Sequence, residues 1–147
     1  MPITRINCPS TSTSDRAAPR GAPAYPEVDE DAIARAAKAL AGARRPMIVL
    51  GGGAHDAAPD IARLADLLKC PVSALRQGKG AYDERRPLAV PSPVAHTLWK
   101  SADVVIGIGT RLMWHEMVWG TDDDMTLIQI TADPGELNRR GRIDIPI

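Results

Sequence analysis

The chain has 147 residues, 44% hydrophobic but only 3% aromatic, with 18 Lys plus Arg against 18 Asp plus Glu. That length holds one domain and a tail, and the absence of Phe leaves a core of Ala, Val, Ile, Leu and Met. Balanced charge gives no footprint for nucleic acid or an anionic membrane, and no apolar run nears the about 20 residues that cross a bilayer.

Residues 1–27 are rich in Pro, Ser, Thr and Arg and carry no period. Such a segment buries too little apolar surface to offset its ordering entropy, so it reads as a linker or disordered tail. It lacks an apolar secretory core, so a cytoplasmic location is expected. Cys8 and Cys70 lie far apart in sequence, which argues against a disulfide or a metal site.

The folded domain is expected over 28–147. Asp29, Glu30 and Asp31 supply a helix start, and Ile33, Ala36, Ala37 and Leu40 share one helical face, with a stop at Gly42. Pro46 opens a buried strand, Met47 to Leu50, that runs into Gly51, Gly52 and Gly53. A second helix follows from about Asp56 or Ala57, with Pro59 in its first turn and Ile61, Leu64, Ala65 and Leu68 on one face. Pro71 to Leu75 is a short strand, broken by Gly78-Lys79-Gly80.

Val94 to Lys100 reads as a short helix and Val104 to Ile108 as a strand. Residues 110–125 hold no clear period and read as a loop. Leu127 to Thr131 is a strand, Asp133-Pro134-Gly135-Glu136-Leu137 a turn or short helix, and Ile143 to Ile147 an edge strand. Alternating strands and helices predict an α/β fold: a Rossmann-like three-layer sandwich on a mainly parallel sheet of about five to six strands.

Two glycine turns are the candidate chemistry. Gly52-Gly53-Ala54 could present backbone N–H groups and a helix start to a phosphate. A dinucleotide fingerprint would put a third glycine at position 56, where Asp56 stands, and the acidic ribose ligand is replaced by Arg76 and Gln77. The plain alternative is a tight strand-to-helix turn. Gly109-Thr110-Arg111 ends a strand where open α/β sheets bind ligands, and Arg111 suits a phosphate; a surface ion pair explains it equally. Met113, Trp114, His115, Met117 and Trp119 form an apolar group that suits a pocket wall, a subunit contact or packing over the sheet. No Ser or Cys has a recognisable base partner, and no His, Cys or carboxylate group has metal-ligand spacing.

In order, these segments resemble the central domain of thiamine-diphosphate-dependent enzymes of the acetolactate synthase, pyruvate decarboxylase and benzoylformate decarboxylase group. The resemblance rests on Arg44 to Ala54, Leu67 to Ser73, Gly78 to Asp83, Pro87-Leu88, Ala102 to Arg111 and Ile128 to Pro134. It implies a middle domain between two others that bind thiamine diphosphate and Mg between subunits of a dimer or tetramer. The Gly-Asp-Gly motif and paired asparagines of the Mg site are missing from this chain. The expectation is therefore an excised or truncated non-catalytic middle domain, acting as scaffold and dimer contact.

In flavin-containing relatives this domain holds FAD, and in others an adenine nucleotide such as ADP, or nothing. The resemblance then implies that Gly52, Gly53, Ala54, Gly109, Thr110 and Arg111 face phosphates and that Asp133 lies near adenosine. Met113, Trp114 and His115 would border the active site as an apolar substrate wall. A freestanding FAD or nucleotide binder, and a non-enzymatic assembly module, are the alternatives.

Overall fold

The computed structural model describes residues 27–137 and 142–147. The expected tail, but for Glu27, lies outside the described residues. Five strands form one all-parallel sheet in the order β2-β1-β3-β4-β5: β1 (Pro46–Leu50), β2 (Val72–Ala74), β3 (Val104–Ile108), β4 (Thr126–Ile130) and β5 (Ile145–Pro146). Ile48, Ile106 and Ile128 stand in register across the centre. The α/β three-layer sandwich expected from the sequence is the architecture found.

The central strands are buried on both faces, which is why they read as continuous apolar runs rather than alternating ones. On one face lie α1 (Glu30–Gly42) and α2 (Ala58–Leu68), packed through Ala32, Ala36, Ile61 and Ala65 onto Ile48, Ile106 and Ile128. On the other lies α3 (Ser92–Trp99), whose Ala95 and Trp99 pack with Met47, Val49, Val105 and Leu127. The Trp99 indole donates to the Gly120 carbonyl at 2.6 Å, so burial leaves its N–H satisfied.

Local chemistry sets the ends. Asp29 caps α1, its carboxylate accepting from the Ala32 amide at 3.0 Å. Asp103, just before β3, accepts from the amides of Arg44 and Arg45 at 2.7 and 2.9 Å and pins the starts of β1 and β3 together. Lys69 closes α2 in the left-handed conformation, with φ of 50°.

Several expectations are corrected. The largest is residues 110–125: α4 (Met113–Trp119) occupies the expected loop. Seven residues span about two turns, too few for a period to stand out. Leu112, at φ 53°, turns the chain into this helix with no side-chain cap to mark it. A 3₁₀ turn at Gly52–Ala57 precedes α2, so the expected start near Asp56 falls in that turn. β2 and β5 are shorter than expected, β4 is shifted one residue earlier, and α3 starts two residues earlier, at Ser92. On α1 the buried positions are Ala32 and Ala36, whereas Ile33 is 39% exposed. The small alanines let the helix sit close to the sheet, and Ile33 lines a groove between α1 and α2.

Burial separates large side chains that hold the fold from those that do not. Trp99→Ala is expected to cost about 3–5 kcal/mol. Leu67→Ala, at a side chain 79% exposed, should stay within about 0.5 kcal/mol of the parent. Urea unfolding of both variants checks this; equal losses would mean that the second core does not depend on Trp99.

Candidate functional site

The strand order reverses direction between β1 and β3, because β2 lies to one side of β1 and β3, β4 and β5 to the other. Open α/β sheets bind ligands outside the carboxyl ends of the strands at such a point. A cleft of about 820 Å³ lies there, lined by Gly51–Gly53, Gln77, Gly109–Trp114, Gln129 and Thr131–Asp133, with Glu136 at its side.

The glycine turns meet each other. The Gly51 amide donates to Ile108 at 3.0 Å and the Gly53 amide to Gly109 at 3.1 Å, while the Ala54 amide turns back onto Gly51 at 3.2 Å. A Cβ at Gly51 would lie 2.2 Å from the Gly109 carbonyl oxygen. One at Gly109 would lie 2.3 Å from the Gly53 carbonyl carbon, and Gly109 also holds φ at 60°. The glycines are thus required for backbone-to-backbone contact between the β1 and β3 turns. Three amides that could cradle a phosphate, those of Gly51, Gly53 and Ala54, are already engaged.

The side chains around the cleft hold its remaining polar capacity. Arg111 is exposed and forms an ion pair through Nε with Glu136, which is largely buried. The Thr110 hydroxyl accepts from the Leu112 amide at 3.3 Å. Asp133 Oδ1 accepts from the Gly135 amide at 2.9 Å and starts a 3₁₀ turn at Pro134–Glu136. Gln129, buried within β4, donates to the carbonyls of Thr110 and Glu136 at 3.3 and 3.4 Å and ties the two loops together.

The structure brings Gly52, Gly53, Gly109, Thr110, Arg111, Met113, Trp114 and Asp133 to this cleft. It does not bring Ala54 or His115. Ala54 is fully buried in the core beneath α2. His115 points the other way: its ring stacks on Trp99 at 5.1 Å and meets Trp119 edge-on at 4.4 Å. Neither ring nitrogen makes a hydrogen bond of good geometry. Burial, opposed only in part by the Leu112 backbone, pushes the imidazole down to about 4. The buried Cys70 thiol is pushed up to about 11 by burial, which leaves it inert as a nucleophile.

Sequence reasoning missed Gln129, Glu136, Gln77 and Thr131. One signal for Gln129 was available: an amide in the middle of the apolar run Leu127-Ile128-Gln129-Ile130 needs partners. Among the described residues no group of three or more His, Cys, Asp or Glu side chains is arranged to hold a metal ion. No helix among them is long and apolar enough to cross a membrane.

Comparison with known proteins agrees with this architecture. The family model described as "Thiamine pyrophosphate enzyme, central domain" matches residues 33–147. The chain is 35% identical over 127 residues to a probable acetolactate synthase large subunit of Methanocaldococcus jannaschii, covering 78% of this chain and 21% of that protein. It is 30% identical over 131 residues to the pyruvate oxidase of Lactiplantibacillus plantarum, covering 85% and 22%. A probable 2-ketoarginine decarboxylase of Pseudomonas aeruginosa is 34% identical over 116 residues, covering 74% and 20%. The chain therefore spans about a fifth of the length of these curated relatives.

Two outcomes follow from the geometry. With a folded-state pKa near 4 and an ordinary value of 6.5, the unfolded chain binds the His115 proton first as pH falls. Its contribution is full above 6.5 and is lost as pH drops towards 4, by up to about 3 kcal/mol. His115→Phe should flatten the unfolding free energy over that window; an unchanged slope rules out His115 as its source. Gly51→Ala should destabilise by more than about 2 kcal/mol, since backbone must move, measured by thermal unfolding.

Proposed function

From the family of thiamine pyrophosphate enzyme central domains, to which this chain belongs, we propose that it serves as the structural middle domain of such an enzyme and carries an adenine-nucleotide or FAD site. The observation that carries the second part is the cleft at the strand-order reversal, with Arg111 and Thr110 on one side and Asp133 on the other. The family implies thiamine diphosphate for the whole enzyme. The chain has no paired asparagines, and among the described residues no group of three or more His, Cys, Asp or Glu side chains is arranged to hold Mg. No step through that cofactor is assigned to these residues.

An adenine nucleotide or FAD fits the cleft better. Because the amides of Gly51, Gly53 and Ala54 are engaged between the two turns, anchoring falls to side chains. The Arg111 guanidinium would donate to phosphate oxygens, a directional contact that lysine cannot reproduce. Asp133 Oδ1 is engaged by the Gly135 amide, which leaves Oδ2 to accept from a ribose hydroxyl. Met113 and Trp114 would form the apolar wall towards the substrate in the whole enzyme.

A contact role is supported by α4. Trp114, Met117 and Val118 are 58%, 71% and 52% exposed on seven residues of helix, an apolar surface suited to burial between chains or domains. Light scattering over a range of concentrations is expected to report a dimer or larger assembly. A monomer at every concentration would remove self-association from the proposal.

The nucleotide site is tested by thermal shift with FAD, ADP and adenosine. ADP or FAD should raise the unfolding temperature, and Arg111→Ala should abolish most of the rise, each variant being compared with its own unliganded midpoint. Absence of a shift with all three removes the site. Titration calorimetry with thiamine diphosphate and Mg is expected to give no saturable heat; tight binding would contradict a purely structural role in the parent reaction.

A further inference from the structure

We infer that Glu136 is a positioning residue for nucleotide phosphate at the cleft, holding Arg111 by its Nε so that the guanidinium is oriented before the ligand arrives. This rests on the reading of the cleft as a nucleotide site. Three observations support it.

The first is where the ion pair attaches. Glu136 meets Arg111 through Nε. The closest contact spares the terminal guanidinium nitrogens, the pair that matches two phosphate oxygens, and Arg111 lines the cleft. A carboxylate chelated on those terminal nitrogens would instead have competed with phosphate.

The second is the frame behind the pair. Gln129 is buried on β4 and its amide donates to the carbonyls of both Thr110 and Glu136. These are the residue before Arg111 and the residue that pairs with it. One side chain therefore fixes the spacing between the β3 turn that carries the guanidinium and the β4 turn that carries the carboxylate.

The third is charge. Arg111 faces two carboxylates at this cleft, Asp133 and Glu136. With carboxylates beside it among the described residues, Arg111 meets a phosphate through direction and distance as well as charge. An exposed arginine loses rotamer freedom when it fixes on a ligand. Holding it beforehand removes part of that cost, which is the gain expected of preorganisation.

The test is a double-mutant cycle with the chain as it stands: the parent, Glu136→Gln, Arg111→Ala and the double variant, titrated calorimetrically with ADP and with adenosine. Glu136→Gln is expected to weaken ADP about tenfold and leave adenosine unchanged, because only the phosphate contact is affected. It should have no further effect once Arg111 is Ala. Glu136→Asp, which keeps the carboxylate, should retain more ADP affinity than Glu136→Gln. Unfolding midpoints measured alongside separate this from a folding defect. Tighter ADP binding by Glu136→Gln, equal losses for ADP and adenosine, or additive effects with Arg111→Ala would overturn the assignment and leave the nucleotide site standing. Failure of the parent to bind either ligand would remove the nucleotide site itself, and this inference with it.

Discussion

The close approach of two backbone turns is the constraint from which the rest of this structure follows. Gly51 and Gly53 lean on the β3 turn, the Gly51 amide donating to the Ile108 carbonyl at 3.0 Å and the Gly53 amide to the Gly109 carbonyl at 3.1 Å. That contact sits where the strand order reverses, so the ends of β1 and β3 are locked at the place where the sheet opens into a cleft. A Cβ at Gly51 or Gly109 would collide with backbone, which cannot rotate away as a flexible side chain could. The scaffold uses its glycines on itself, and the remaining polar groups at the cleft are side chains on the β3 and β4 loops.

Those loops are connected by buried polar groups. Gln129 is the polar exception in an apolar strand and satisfies its amide on the two loop carbonyls it joins. Beside it, α4 divides the molecule. Met113 and Trp114 line the cleft, while His115 and Trp119 pack inward with Trp99. The same seven-residue helix thus forms one wall of the cleft and part of the second core. It also carries the exposed Trp114, Met117 and Val118, and the groove between α1 and α2 exposes Ile33 and Leu67. Apolar surface on opposite layers of a small domain is what a middle domain covering about a fifth of its relatives' length would present to its neighbours.

Much of the fold was legible because its strands are buried on both faces. Met47 to Leu50 and Val104 to Ile108 read as apolar runs bounded by Pro, Asp and Gly, and each is a central strand. The caps at Asp29 and Asp133 were legible because an aspartate before a helical turn accepts from its free amides. The α4 helix was not, since seven residues with a Trp or Met at nearly every other position give no period. Nor was the inward face of α1, where alanine carries the packing and Ile33 does not. At the cleft, Arg111 could be nominated from its position at a strand end and Asp133 from the family resemblance. Glu136 could not, because its partner lies 25 positions earlier in the chain and only the pairing of β3 with β4 brings them together.

The sequence by itself determined the parallel α/β sandwich and the family, because period, turn residues and their order along the chain are local properties that survive without coordinates. Only the tertiary structure decided what the glycines are for and which way His115 faces. Those are distances between segments far apart in the chain, about 55 residues from the first glycine turn to the second, and no local pattern encodes them.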